Sequence, residues 1–125
     1  MAKLTGVAPI LLVKDIVASA NYFRDCVGFE YELFNDPPSF GILTRDGIRL
    51  MLAKATDENK NVPHWKIVNQ MWNAYFWVED VDDLYAELQK SGAKIDYELH
   101  NKPYGVREFG IQDLDDHDIA FGEVY

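Results

Sequence analysis

The chain has 125 residues and a formal net charge of −9 at pH 7, and this length suits a single domain. The acidic surplus argues against a nucleic-acid ligand, which proteins usually bind with a basic face. No stretch reaches the roughly 20 apolar residues of a membrane span, and the apolar run near the N-terminus is too short for a signal peptide. The single Cys26 excludes an internal disulfide. We therefore expect a cytoplasmic protein with no nucleic-acid or membrane partner.

The first half of the chain predicts a strand, a helix and three further strands. The strand VAPILLV leads into a helix that Asp15 caps and Gly28 ends, because a short carboxylate accepts from free backbone N–H groups and glycine tolerates a left-handed stop. Three strands follow, FEYELF, FGILTR and IRLMLAK, and the turn residues NDPPS and RDG separate them. Apolar residues recur on one face of the helix, at Ile16, Ala20, Phe23 and Val27.

The second half predicts the same order of elements. The strand NAYFWV leads into a helix that Asp80 caps and Gly92 closes. Three strands follow, AKIDYEL, VREFGIQ and DIAFGEV. The apolar face of this helix consists of Val81, Leu84 and Leu88.

The two halves also match in sequence, which indicates an internal repeat. VKDIVASANYFRDCVGF begins at Val13 and VEDVDDLYAELQKSGAK at Val78, whereas FGILTRDG begins at Phe40 and FGIQDLDD at Phe109. We therefore predict two copies of a βαβββ module. The predicted limits are a single domain over 1–125, with module one at about 5–56, a connecting segment at about 57–70 and module two at about 71–125.

An acidic stretch, DLDDHD from Asp113, lies between the last two predicted strands. Asp115 and Asp116 suit a turn, since a short carboxylate bonds to the nearby backbone and tolerates positive φ. The spaced ligands and the glycine of an EF-hand calcium loop are missing, so we expect a turn here and not a metal site. The histidines lack metal-ligand spacing and predict surface or hydrogen-bonded side chains, namely His64, His100 and His117.

The doubled module and three of its stretches resemble the vicinal oxygen chelate superfamily, the glyoxalase, bleomycin resistance and extradiol dioxygenase group. These stretches are LLVKDIVASANYFRDCVGFEYE, VEDVDDLYAELQKSGAKI and YGVREFGIQDLDDHDIAFGE. The family usually carries Asp-Pro-Asp-Gly where Asp113 to Asp116 stand here, which implies a slightly different turn. The resemblance covers nearly the whole chain and implies an α+β fold. In that fold, two tandem βαβββ modules form a curved mixed sheet around a cleft, with helices on the outer face, and the protein is a homodimer.

The resemblance also locates the metal-ligand positions of the family's enzymes, which carry His or Glu on two strands of each module. Counting along the strands places these positions at Ala8, Met51, Asn73 and Ala120. An alanine has no donor atom, a thioether is a poor ligand for hard divalent ions, and one amide cannot hold such an ion alone. We therefore expect no metal and no other cofactor.

Strand alternation predicts which side chains face the cleft, because residues two apart share a face. The face of Met51 also carries Arg49, and the face of Asn73 carries Tyr75 and Trp77. This mixture of aromatic and polar groups suits a ligand pocket. The opposite face predicts a helix-covered core of Leu50, Leu52, Phe76, Val78, Ile119 and Phe121.

The segment NVPHWKIVNQMWNAYFWV holds all three tryptophans of the chain. Trp65, Trp72, Tyr75 and Trp77 are candidates for stacking on a planar or cationic ligand. A place in the core or at a dimer interface is the alternative for each of them, and it is the favoured one for Trp65 and Trp72.

Arg49, Tyr104 and Arg107 are the polar ligand candidates, although a structural ion pair is slightly favoured for Arg107. Within the family the metal-free bleomycin resistance proteins are the most similar branch. The leading hypothesis is therefore a metal-independent binding protein, a homodimer that sequesters a small aromatic molecule, cationic or neutral, and so confers antibiotic resistance. The alternatives are a metalloenzyme of the glyoxalase or dioxygenase type and a metal-free enzyme of the same fold.

Overall fold

The structure, a computed structural model, describes residues 1–57 and 60–125 and confirms the predicted α+β class with two βαβββ modules. The connecting segment predicted at about 57–70 includes residues 58 and 59, which lie outside the described residues. A short 3-10 helix, His64–Lys66, falls in the rest of that segment. The other elements, in chain order, are β1 (Ile10–Val13), α1 (Ile16–Val27), β2 (Glu30–Phe34), β3 (Phe40–Arg45), β4 (Ile48–Lys54), β5 (Ala74–Trp77), α2 (Val81–Ser91), β6 (Lys94–Asn101), β7 (Val106–Gln112) and β8 (Asp118–Val124).

Each module forms a four-stranded mixed sheet, with strand order β1-β4-β3-β2 in the first and β5-β8-β7-β6 in the second. The first strand of each module runs parallel to the last, and the other neighbours are antiparallel. Two parallel neighbouring strands need a long crossover connection between them, and in each module this connection starts with the helix. Ile10 pairs with Met51 in the first sheet and Tyr75 pairs with Ala120 in the second, so these two pairs occupy equivalent positions.

The Phe-Gly-Ile match between the two halves is out of register by one residue. Met51 pairs with Ile42 on β3, whereas its counterpart Ala120 pairs with Gly110 on β7. Ile42 and Gly110 are therefore equivalent, although the sequence match aligns Gly41 with Gly110. The modules do repeat, but this motif does not mark equivalent positions on their strands.

Both helices begin and end at the predicted residues. Asp15 accepts a hydrogen bond from the backbone N–H of Ala18 at 3.0 Å, and Gly28 ends α1 at φ +80°. Asp80 caps α2 and Gly92 ends it at φ +86°. Neither helix of the described residues is long and apolar enough to cross a membrane. The two predicted apolar faces are buried, with Ile16, Ala20, Phe23 and Val27 in α1 and Val81, Leu84 and Leu88 in α2.

The two helices lie between the sheets, where each covers one face of its own sheet and contacts the other helix. The modules share one apolar core in this layer. The opposite faces of the sheets point away from the helices and the core. We call them the outer faces of the chain, and they are the faces expected to line the cleft, not the helix-covered face named in the prediction. Among the described residues no strand of one sheet is hydrogen-bonded to the other, so the outer faces do not join into one sheet within a chain. The predicted core residues are buried or partly buried, namely Leu50, Leu52, Phe76, Val78, Ile119 and Phe121.

Hydrogen bonds between the modules add to this shared core. Arg45 on β3 donates to both carboxylate oxygens of Glu87 on α2, at 2.7 and 3.0 Å, and its Nη1 also donates, within the first module, to the backbone oxygen of Val27 at 2.7 Å. Tyr22 on α1 donates to the backbone oxygen of Gln112 at 2.7 Å. These contacts hold the two modules in one relative orientation.

The acidic stretch DLDDHD forms a turn between β7 and β8, as predicted. Asp113 is buried, and its Oδ1 accepts from the backbone N–H groups of Asp115 and His117 while its Oδ2 lies 2.8 Å from His117 Nδ1. Asp115 accepts from the backbone N–H of Lys14 at 2.9 Å, which connects this turn to the first module. Asp116 adopts φ +63°. These carboxylates thus stabilise the turn and its contact with the other module.

Replacing Asp113 with alanine should lower the free energy of unfolding by about 2 to 4 kcal/mol, because a buried backbone N–H, a partly buried one and a buried imidazole would lose their acceptor. Urea denaturation of the variant and the wild type measures this difference. Asp116→Asn is the matched control, since it removes only the exposed ion pair with Lys94 and should cost under about 1 kcal/mol. Equal losses in both variants would contradict the structural role of Asp113.

Candidate functional site

A pocket of about 480 Å³ opens on the outer face of the second sheet. Among the described residues, Lys102 is the one positively charged side chain that lines it. The pocket therefore combines aromatic walls with several carboxyl groups. These aromatic and acidic residues are Trp72, Tyr97, Tyr104, Asp96, Glu108 and Asp118.

Two glycines on the outer face make room for tyrosine rings. Strand alternation on β7 places Glu108 and Gly110 on this face. A side chain at Gly110 would collide with the ring of Tyr97, and a side chain at Gly122 would collide with the hydroxyl end of Tyr75. Both tyrosines therefore lie over the strands, and the ring of Tyr97 lines the pocket.

Glu108 is the centre of a hydrogen-bond network beneath the pocket. Its side chain is fully buried, with 0% exposure, and its carboxylate accepts from the hydroxyls of Tyr75 and Tyr97 at 2.6 Å and of Tyr104 at 2.8 Å. Trp72 Nε1 donates to the Tyr97 hydroxyl at 3.0 Å. A buried carboxylate is costly unless donors compensate for its lost hydration, and the three hydroxyls serve this purpose.

The three tyrosines around Glu108 have raised pKa values. Burial is the largest cause for Tyr75 and Tyr97, and the hydrogen bond to the Glu108 carboxylate raises the pKa of each further. The same two causes raise the pKa of Tyr104 to about 12. The hydroxyls therefore remain protonated donors at neutral pH, and the network fixes the orientation of the three rings.

A row of aromatic rings extends from the pocket along β5. The ring centroids of Trp72 and Tyr75 are 4.8 Å apart, and those of Tyr75 and Trp77 are also 4.8 Å apart. Trp77 is 66% exposed and also lines a second pocket of about 420 Å³ at the junction of the modules. The aromatic surface thus continues to the edge strand of the sheet.

Asp96 and Asp118 form the acidic end of the pocket. Asp118 is buried, with 7% exposure, and its Oδ1 accepts from Gln112 Nε2 at 2.9 Å. Burial raises the pKa of Asp118, and the neighbouring Asp96 carboxyl raises it further through its charge and a side-chain hydrogen bond. This end of the pocket therefore favours a positively charged group.

The structure brings together part of the predicted ligand set. Trp72, Tyr75 and Tyr104 meet around Glu108, and Trp77 continues the same row of rings. These four residues come from β5, the segment before it and the β6–β7 loop. Tyr75 and Tyr104 donate directly to Glu108. Trp72 is joined to Glu108 only through Tyr97, so sequence spacing alone does not bring these residues together.

Three other predicted residues make structural contacts away from the pocket lining. Trp65 Nε1 donates to the backbone oxygen of Asp116 at 2.7 Å, and Asn73 Oδ1 accepts from the backbone N–H of His64 at 3.0 Å. Arg107 donates to Asp82 on α2, with Nη2 to Oδ1 at 2.8 Å. The ion pair of Arg107 with Asp82 agrees with the structural role that the sequence slightly favoured.

Arg49 and Met51 lie on the outer face of the first sheet, on β4. The pocket lies on the other sheet, so a single chain does not place these two residues beside Trp72 and Tyr75. Residues on the two outer faces would meet only if a second chain were present.

Sequence reasoning missed Glu108, Tyr97 and Asp96 as parts of the pocket. One signal was available, because alternation in VREFGIQ puts Glu108 in phase with Gly110 and opposite to Phe109 and Ile111. A charged residue that shares a strand face with a glycine is expected to point away from the core. That it is buried follows only from the tyrosines, which reach it from other segments.

The family's metal-ligand positions do not fit a metal ion in this chain. Ala8 and Ala120 have no donor atom, and the side-chain oxygen of Asn73 already accepts a hydrogen bond. Met51 offers only a thioether, a poor ligand for hard divalent ions. Across residues 1–57 and 60–125, no group of three or more His, Cys, Asp or Glu side chains is arranged to hold a metal ion.

The sequence model of the Glyoxalase/Bleomycin resistance protein/Dioxygenase superfamily matches residues 5–121. The chain belongs to this superfamily. The predicted resemblance is thereby confirmed over nearly the whole chain. A search of curated proteins found no match.

Several solved structures share the fold at low sequence identity. A glyoxalase-related enzyme from Clostridium phytofermentans is 16% identical, with a TM-score of 0.78 over 99% of this chain and 98% of that one. The bleomycin-binding protein of Streptomyces verticillus, solved with copper(II)-bleomycin, is 24% identical, with a TM-score of 0.74 over 97% of each chain. TnmS3, an antibiotic binding protein from Streptomyces sp. CB03234, is 19% identical, with a TM-score of 0.73 over 100% of this chain and 99% of that one.

The protein should lose stability as the pH rises above about 10, the ordinary pKa of tyrosine. Folding raises the pKa of Tyr75, Tyr97 and Tyr104, so their protonated forms contribute stability that is complete below about pH 10 and is lost as the pH rises through the folded values. Urea denaturation between about pH 8 and about pH 11 measures this loss. Tyr75→Phe should show a smaller loss over the same range, and an equal loss would contradict the proposed network.

Proposed function

We propose that the protein binds a planar aromatic small molecule in the pocket on the outer face of its second sheet, without a metal ion. The pocket volume of about 480 Å³ lies within the range of sites for drug-sized ligands. Trp72, Tyr97 and Tyr104 line it, and aromatic rings favour stacking on another planar group. The single observation that carries this proposal is the set of rings fixed around Glu108.

The same network favours binding over catalysis. The hydroxyls of Tyr75, Tyr97 and Tyr104 already donate their protons to Glu108, and their raised pKa values make them poor bases and poor acids at neutral pH. Sequestration requires only a fixed surface of the right shape, and a few aromatic contacts can hold a ligand at micromolar concentration. A rigid aromatic pocket therefore suits a protein that captures its ligand and does not transform it.

Two solved relatives in the fold support a ligand of the antibiotic class. Their names state that one binds bleomycin and the other an antibiotic. By sequestering such a compound in the cytoplasm, this protein would confer resistance on its cell. A reducing cytoplasm also suits the single unpaired Cys26.

We further propose that the protein is a homodimer whose cleft combines the outer faces of both chains. The edge strands β1 and β5 expose apolar side chains, with Ile10 at 57%, Leu12 at 46% and Trp77 at 66% exposure. Large apolar side chains exposed on edge strands favour an interface. A partner's first sheet, placed against this second sheet, would bring Arg49 and Met51 to the pocket that Tyr75 and Trp72 begin.

Leu12→Glu should convert the dimer to a monomer, because a carboxylate cannot be buried at an apolar interface without a partner. Analytical ultracentrifugation over a range of protein concentrations measures the change. Val17→Glu is the matched control, since Val17 is a comparably exposed apolar residue on α1 and away from the edge strands. A wild-type protein that stays monomeric at every concentration would refute the proposed dimer.

Trp72→Ala should weaken binding of a neutral aromatic probe, naphthylmethanol, and of bleomycin by about three- to tenfold, through the loss of one stacking wall. Isothermal titration calorimetry on metal-free protein measures both affinities. Trp65→Phe is the control, because Trp65 lies outside the pocket lining and should leave both affinities unchanged. If no aromatic compound binds to the wild type, or if binding requires an added metal ion, the proposed function is wrong.

A further inference from the structure

The acidic end of the pocket has a feature that aromatic stacking does not use. Asp118 is nine-tenths buried, yet it lies beside a second carboxyl group, that of Asp96, and both line the cavity. Two carboxyl groups held together inside a protein repel each other when both are ionised. Asp118 is buried and Asp96 is exposed, and either a proton shared in their hydrogen bond or a bound positive charge would relieve this repulsion.

The surroundings of this pair supply little compensation. Glu108, in the same pocket, receives three tyrosine hydroxyls, whereas the one protein donor to the Asp118 carboxylate among the described residues is Gln112 Nε2. Asp116, in the turn before β8, adds a further negative charge that raises the pKa of Asp118. Lys94 forms its ion pair with Asp116, at 3.1 Å.

The remaining cation of the lining stands over an aromatic ring. Lys102 Nζ lies 5.0 Å from the ring centroid of Tyr97, which shows that this ring accepts a positive charge on its face. The cavity thus places an aromatic wall that tolerates cations next to Asp96 and Asp118, and neither carboxyl group forms an ion pair within residues 1–57 and 60–125. The aromatic wall would stack on a planar ring, and the carboxyl groups would bind an amine attached to that ring.

We propose that Asp96 and Asp118 form a subsite for a protonated primary or secondary amine carried by the aromatic ligand. The inference rests on the proposed function, since it places the ligand's aromatic part against Trp72 and Tyr97. The ammonium group would donate hydrogen bonds to both carboxylates and relieve their repulsion. A quaternary ammonium has no N–H to donate and would only neutralise the negative charge. The subsite should therefore bind a primary or secondary amine more tightly than a quaternary ammonium.

A set of four naphthalene probes tests this subsite by calorimetry at neutral pH. Naphthylmethylamine carries the amine, its N-trimethyl derivative carries the charge without a donor, naphthylmethanol is neutral, and naphthoate is an anion. The amine should bind at least about tenfold more tightly than the alcohol and more tightly than the quaternary compound, and the anion should bind most weakly.

Asp96→Asn and Asp118→Asn should each reduce the affinity for naphthylmethylamine by about tenfold or more while leaving that for naphthylmethanol within about twofold. Because Asp96 is exposed, its variant should fold normally even if Asp118→Asn does not. Glu98→Gln is the matched control, since it removes an exposed acidic charge from the same strand outside the pocket lining and should change neither affinity.

The outcomes separate the subsite from the proposed function. Equal affinities for the amine and the alcohol, or the same loss of amine binding in Glu98→Gln as in Asp96→Asn, would overturn the subsite and leave the aromatic pocket intact. If neither the amine nor the alcohol binds, both proposals fail. In the wild type the affinity for the amine, but not for the alcohol, should also decrease as the pH falls and Asp118 takes up a proton.

Discussion

The burial of the Glu108 carboxylate is the constraint on which the candidate site depends. A charge with no exposure must receive several hydrogen bonds, and here three tyrosine hydroxyls from three segments converge on it. This convergence requires rings to lie over the sheet, which in turn requires that Gly110 and Gly122 have no side chains. The shape of the pocket therefore follows from the need to keep one negative charge compensated.

The two modules share a topology but differ in what their outer faces carry. In the first sheet the positions equivalent to Gly110 and Gly122 are Ile42 and Ala53, which carry side chains where the second sheet has the two glycines beneath the tyrosine rings. The helix-covered faces have instead kept the same apolar character in both modules. The core thus preserves the repeat, and the outer faces have diverged to carry the candidate site on one sheet.

Much of the fold could be predicted from the sequence, because caps, turns and alternation are local signals. α1 begins after its cap Asp15 and ends at Gly28, as predicted. The alternation of β4 buries Leu50 and Leu52. The Phe-Gly-Ile match predicts a strand register that is wrong by one residue, because sequence identity over three positions does not fix strand register. The site was only partly predictable for a related reason. Glu108 acquires its role from tyrosines on β5, on β6 and in the β6–β7 loop, and no local pattern specifies which tyrosines will reach it.

Because both helices lie between the sheets, ligand capture by a cleft of two chains would depend on the concentration of the protein. Because the outer faces of one chain point apart, a cleft built from two chains exists only when two molecules have met. Mass action would then make the number of complete clefts rise with the square of the protein concentration when the protein is scarce, and linearly when it is plentiful. A ligand that spans the cleft would in turn hold the two chains together. Such a protein would respond weakly at basal expression and steeply once its synthesis is induced.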